Sequence, residues 1–238
     1  MEEIIRQIEL AQAESRFLKE RIVRKKNWFS PLYWRYRILR PVIKMRYNSF
    51  RKKHYPSPWL SPGSILFFEG WLTKEMRGAE YGSGLSTLFF AKRCKEVVSI
   101  EHFKPWYDKV VDLFKEEHVT NVNYKFITTE EHPKEFYRKE IFERYKLMDY
   151  NDSILWKYED YYSALNEFDD GYFDYIIVDG RARPECTFHA IDKIKSGGLM
   201  VLDNSERDRY SVVFEKLEAW PNFTTSNGLT NTTFWVKP

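Results

Sequence analysis

Four acidic side chains in this 238-residue chain stand where a strand-like run gives way to a turn: Glu80, Glu101, Asp179 and Asp203. An ionised carboxylate only accepts hydrogen bonds, through two oxygens, so at a strand tip it can take two donors of one ligand, such as neighbouring hydroxyls or an ammonium. The first of them opens the stretch Glu80-Tyr81-Gly82-Ser83-Gly84-Leu85-Ser86-Thr87. Gly82 and Gly84 permit positive φ or close ligand approach, and Ser86-Thr87 begin a helical run whose free N–H groups point back into the turn. Together with Glu101, this outlines a crevice for a nucleotide cofactor.

These side chains need strands and crossovers to hold them. Arg77–Tyr81 reads as a short strand, Ser86–Lys92 as a helix, and Val97–Ile100 as a β-branched buried strand carrying Glu101 to the same crevice. A helix over Pro105–Glu117 and a strand over Val122–Thr128 follow, with Thr129-Glu130 at its carboxyl end. Phe173–Val178 is the clearest buried strand and ends on Asp179-Gly180. A crossover helix over Cys186–Lys195, stopped by Ser196-Gly197-Gly198, leads to a strand over Leu199–Leu202 with Asp203-Asn204 at its tip. Phe223–Ser226 and Thr232–Lys237, separated by Asn227–Asn231, signal a hairpin. The expected fold is therefore α/β: a Rossmann-like doubly wound sheet with a C-terminal antiparallel hairpin, plus an N-terminal basic helical extension.

Residues 1–60 form that extension and residues 61–238 the domain, with Pro56, Pro58 and Pro62-Gly63 reading as a linker and Ile65–Met76 as the first domain helix. Residues 131–172 lack strand character and are too long for an ordinary connection, so they read as an insertion with helices of its own, one over Tyr158–Phe168. Five tyrosines between 145 and 162 suit a lid or substrate pocket, or simply local packing.

Hydrophobic residues at 43% and aromatics at 18% exclude a disordered chain. Cys94 and Cys186 make neither a disulfide framework nor a zinc site, which favours a reducing compartment. The acidic start MEEIIRQIEL is not a secretory leader, and no uncharged apolar span is long enough to cross a bilayer. A cytoplasmic location is expected.

The net charge of +3 hides an asymmetry. Residues 21–53 hold 12 of the 38 Lys/Arg and no Asp or Glu, leaving 26 Lys/Arg against 35 Asp/Glu in the rest. Ile4, Ile8, Ala11, Leu18 and Ile22 form a helical stripe, and Ser30-Pro31 opens a second helix that Pro41 interrupts and Arg51–His54 ends. The arm fits a helical lid or homo-oligomer contact with a solvated basic face. It also fits docking on an anionic membrane's inner face, with Trp28, Phe29, Trp34 and Tyr36 at headgroup level, or nucleic-acid binding.

Over residues 64–238 the chain resembles the class I S-adenosylmethionine-dependent methyltransferases. Glu80–Thr87 resembles their first motif, Glu101 their ribose-binding carboxylate, and the terminal hairpin their seventh strand. Ser86 stands where the family has a third glycine. A nicotinamide or flavin enzyme would need glycine where this chain has Thr87. The resemblance implies that the backbone of Tyr81, Gly82, Ser83 and Gly84 passes the methionine moiety and that Glu80 helps hold its ammonium. Ser86 and Thr87 continue this loop, Glu101 takes the ribose hydroxyls, His102 and Asp179 adjoin the cofactor, and Thr129 or Glu130 lies near the adenine.

Methyl transfer from a sulfonium is an in-line displacement, so an oxygen acceptor needs a base or a metal to relieve its proton. Asp179, His102 and Glu206 are the candidate bases, with His189 a helical, structural histidine. Asp179, Asp203 and Asn204 resemble the magnesium ligands of the metal-dependent O-methyltransferase branch, for which Mg2+ or Mn2+ would serve. That branch has a lysine where this chain has Gly180-Arg181-Ala182-Arg183, and an arginine there suits an anionic substrate group better than base catalysis. The resulting expectation is O-methylation of a small or sugar-like acceptor, such as a glycan made beside a membrane. Alternatives are a nucleic-acid or protein methyltransferase and a non-catalytic cofactor-binding or interaction protein.

Overall fold

The computed structural model describes residue 29 and residues 31–128, 158–227 and 230–238. Two helices, α1 (Pro31–Lys53) and α2 (Pro62–Trp71), precede the alternating part. That part runs β1 (Arg77–Tyr81), α3 (Leu85–Ala91), β2 (Glu96–Glu101), α4 (Lys104–Glu116) and β3 (Val122–Phe126). After α5 (Glu159–Tyr162) come β4 (Phe173–Val178), α6 (Arg183–Ala190), β5 (Ile194–Asp203), α7 (Ser211–Lys216), β6 (Asn222–Ser226) and β7 (Asn231–Val236).

The seven strands form one sheet in the order β3-β2-β1-β4-β5-β7-β6. Strands β1 to β5 pair in parallel, and β7 runs antiparallel against β5, with Asp203 opposite Thr232. The fold is α/β and Rossmann-like, as the sequence predicts. The order reverses at β1, which lies between β2 and β4, so the crevice at a topological switch point falls at the carboxyl ends of β1, β2 and β4.

Alternation along the strands builds a core on each face of the sheet. Ala79 and Tyr81 join Ile176, Val178, Met200 and Trp235 on one face, beneath α6 and α7. Val97, Tyr175, Ile177, Val201 and Phe234 join α2's Phe67 and Phe68 on the other. Phe68 meets Phe90 and Tyr175 at ring-centroid distances of 5.1 and 5.9 Å, so aromatic packing anchors α2 on this face.

Several boundaries differ from expectation for local reasons. Pro41 lies inside a continuous α1, where the carbonyl it leaves unpaired belongs to an exposed turn that water can serve. Pro56–Pro58 and Leu60–Ser64 are buried rather than forming a linker. Ser61 caps α2 through the Ser64 N–H at 3.2 Å and meets Thr225 Oγ1 at 2.6 Å, while Pro62 takes the first helical position. These signals start α2 three residues earlier than predicted and end it at Trp71. Helix α6 begins at Arg183 and stops at Ala190. Gly197-Gly198 lies within β5, at an irregularity of its pairing with β4, instead of terminating a helix. Helix α5 is a single turn within the predicted span 158–168. Ser30 and the N-terminal helical stripe lie outside the described residues.

Candidate functional site

Glu80, at the penultimate position of β1, is only 1% exposed, and its Oε1 accepts from the Ser99 hydroxyl at 2.8 Å and from the Thr87 hydroxyl. Thr87 Oγ1 in turn accepts the Gly84 N–H at 3.0 Å. Burial pushes Glu80 up to about 7, against the pull of its Thr87, Ser99 and Ser86 partners. Glu80 therefore braces the glycine turn from beneath. Its Oε1 is engaged inside the loop by the Thr87 and Ser99 hydroxyls. Thr87, used in the sequence to argue against a dinucleotide, supplies the link between turn and strand.

Gly82 has φ +94°, and a Cβ on it would stand 3.1 Å from the Gly180 backbone, so the turns after β1 and β4 touch. A Cβ on Gly180 would lie 2.0 Å from the Tyr161 hydroxyl. Tyr161 is fully buried, its ring centroid 5.5 Å from both Tyr81 and His102, and its hydroxyl stands near the Arg181 backbone without an aligned partner. Of the five tyrosines singled out in the insertion, Tyr161 and Tyr162 are core residues and Tyr158 packs 5.3 Å from His102. Tyr145, Tyr150 and most of the insertion lie outside the described residues.

Glu101 is the crevice carboxylate. Oε2 accepts from Ser83 Oγ at 2.9 Å and Ser83 N at 3.3 Å, and Oε1 from the His102 and Phe103 N–H groups, both at 2.9 Å. His102 Nδ1 lies 3.1 Å from Oε1, an ion-pair distance without aligned hydrogen-bond geometry. Burial would raise this acid, but the His102 ring and these donors hold it down to about 2. It is an anion at any ordinary pH. Ser83 is the hinge of the arrangement, because its hydroxyl also meets Tyr124 at 2.7 Å and its carbonyl accepts from Trp106 Nε1 at 2.8 Å. Nothing local in the sequence marks Tyr124 or Trp106, whose aromatic positions in β3 and α4 form no motif.

Across the crevice, Arg183 occupies the ground assigned to a metal. Its Nη2 donates to Asp179 Oδ1 at 2.8 Å and to the Asp179 carbonyl at 3.0 Å, Nε donates to the Gly180 carbonyl at 3.1 Å, and Nη1 donates to the Asp203 carbonyl. Nη1 also stands 3.9 Å from Asp203 Oδ2, while Asp203 Oδ1 accepts from Thr232 at 2.9 Å. Asn204 turns to φ +53° and its Oδ1 accepts from Arg207 at 2.7 Å. The trio Asp179, Asp203 and Asn204 does not fit Mg2+ or Mn2+, because a buried guanidinium already supplies the positive charge and Asn204 is committed elsewhere. Among the described residues no cluster of His, Cys, Asp and Glu could hold a metal. Burial, and after it the Asp179 charge, push Asp203 well above the usual carboxylate range. Arg183, only 6% exposed, is likewise not free for an anionic substrate, whereas Arg181 is exposed.

The candidates thus divide. Glu80, Tyr81, Gly82, Ser83, Gly84, Ser86, Thr87, Glu101, His102 and Asp179 gather at the ends of β1, β2 and β4. Glu206 lies beyond β5, where its Oε2 accepts the Asn231 N–H at 2.9 Å and ties that turn to the hairpin. Thr129 and Glu130 lie outside the described residues.

No protein-family model matches the chain, and no curated protein matches it. Among solved structures, a methyltransferase-like protein from Silicibacter pomeroyi shares 22% identity at a TM-score of 0.46, over 69% of this chain and 80% of its own. An rRNA methylase from Streptococcus thermophilus shares 11% identity at 0.46, over 70% and 89%. A Streptococcus mutans protein in complex with SAH shares 10% at 0.46, over 69% and 90%. Likeness at this level transfers no activity, which must be read from this chain's own residues.

Proposed function

We propose that the protein is an S-adenosylmethionine-dependent methyltransferase acting on an oxygen of a small or sugar-like acceptor. The observation that carries this reading is Glu101. It is a strongly ionised carboxylate at the tip of β2, facing a glycine turn whose Ser83 shares its oxygens. Ribose hydroxyls would replace the Ser83 donors at Oε2, while Gly82 and Gly84 leave room along the backbone. The bound cofactor would supply the methyl group as a sulfonium.

The chain's own contribution is positioning and proton removal. Asp179, with its side chain 31% exposed, is held by two Arg183 bonds at the crevice edge. Burial pushes its carboxyl up, and the guanidinium opposes that rise. This leaves Asp179 a base whose affinity for a proton is tuned by its neighbour, with Arg183 the positioning residue. His102, against Tyr158 and Tyr161, is the second base within the same crevice. A screen of hydroxylated acceptors by release of S-adenosylhomocysteine tests the reading. Turnover with at least one hydroxyl acceptor is expected, and turnover confined to amines or nucleobases would overturn the oxygen assignment.

A further inference from the structure

Helix α1 is basic and carries two faces of different use. Ile43, Tyr47 and Phe50 point to the body: Ile43 is buried, the Tyr47 hydroxyl donates to the Leu60 carbonyl at 2.8 Å, and Phe50 stacks on His54 at 4.1 Å and joins the α2 core. At about 100° per residue, Trp34, Ile38, Val42 and Met45 fall within an arc of roughly 80° on the opposite side. Ile38 is 73%, Val42 47% and Met45 67% exposed. Arg37 and Lys44 flank that stripe on one side and Arg46 and Lys53 on the other, all exposed. The helix holds eight Lys/Arg and no Asp or Glu.

We propose that the outer face of α1 docks on an anionic lipid surface, lying in the interface with Ile38, Val42 and Met45 among the acyl chains and the flanking cations at the phosphates. A central aliphatic stripe bordered by cations on both flanks is what an interfacial helix presents. Nucleic-acid phosphates would match the cations but leave the aliphatic stripe with nothing to bury it. A second α1 would bring eight like charges against eight. Trp59, 69% exposed and 4.8 Å beneath the Arg51 guanidinium, adds an aromatic at the helix's C-terminal end. No helix among the described residues is long and apolar enough to cross a membrane, so the contact is peripheral.

The test is flotation of the full chain with phosphatidylcholine vesicles, and with vesicles in which about one-third of the lipid is phosphatidylglycerol. Retention is expected only on the anionic vesicles. The pair Ile38→Asp with Met45→Asp, and separately Arg37→Glu with Lys44→Glu, should each lower the bound fraction roughly tenfold or more, with unchanged circular dichroism. Neither measurement involves the cofactor, so failure here leaves the methyltransferase reading standing, and the reverse. Equal retention on neutral vesicles, wild-type retention by both variant pairs, or no retention would overturn the proposal. So would binding only to an RNA oligonucleotide, or only self-association.

Discussion

Arg183 Nη2 stands 2.8 Å from Asp179 Oδ1, and the same guanidinium donates to the carbonyl of Asp203. A cation built from the chain thus holds the two strand tips at the β4–β5 edge of the crevice, in the position where a divalent metal was expected.

The first consequence concerns metal. S-adenosylhomocysteine release should be unchanged by EDTA and by added Mg2+ or Mn2+. A loss of turnover with EDTA that Mg2+ restores would contradict the Arg183 arrangement.

Removing the guanidinium should be costly. Arg183→Ala leaves Asp179 and buried Asp203 without their cation, and should destabilise by about 3 kcal/mol in denaturant unfolding. Arg183→Lys should recover part of that stability without restoring the fork of bonds to Asp179 and Gly180. Equal stability of Arg183→Ala and the unchanged chain would exclude this role.

Glu80 makes stability fall at rising pH. Its carboxyl ordinarily titrates near 4.5 and is pushed up to about 7 in the fold, so the protonated form is the one the fold prefers. That preference is fully present below about pH 4.5 and is lost as pH rises through about 7, a difference on the order of 3 kcal/mol. Glu185, also pushed to about 7 by burial, acts in the same window. Glu101 does the reverse: held at about 2, its contribution is present above about 4.5 and disappears as pH falls toward 2. Unfolding free energies of Glu80→Gln and Glu101→Gln across pH 2 to 8 should flatten the neutral and the acid limb respectively. Identical pH profiles for the two variants would refute the assignment.

The Tyr161 hydroxyl is buried without an aligned partner, whereas its ring fills the space above Gly180. Tyr161→Phe should therefore leave stability unchanged or raise it by about 1 kcal/mol, while Tyr161→Ala should cost about 3–5 kcal/mol. A large loss in Tyr161→Phe would mean that the hydroxyl is bonded.

Much of this was legible in the residues. The glycine turn after β1, Glu101, and the run into Asp179 declare themselves through strand-to-turn transitions, and the terminal hairpin fixed the direction of β7. What escaped was tertiary choice. Nothing local says that Arg183, four residues past Asp179, folds back onto two strand tips, and oxygen donors in sequence read as metal ligands until their partners are seen. Ser61-Pro62 carried a helix-start signal that the nearby prolines disguised as a linker. Ser83 reads in the sequence as part of the cofactor loop, but its place between Glu101, Tyr124 and Trp106 depends on three elements meeting.

The most direct test of the central claim is titration calorimetry of the purified chain with S-adenosylmethionine, S-adenosylhomocysteine and NADH. Both adenosyl-sulfur ligands should bind and NADH should not, and Glu101→Ala, which loses two charge-assisted bonds, should weaken binding about 100-fold or more while the fold survives. Binding of NADH without either adenosyl-sulfur ligand, or unchanged affinity in Glu101→Ala, would contradict it.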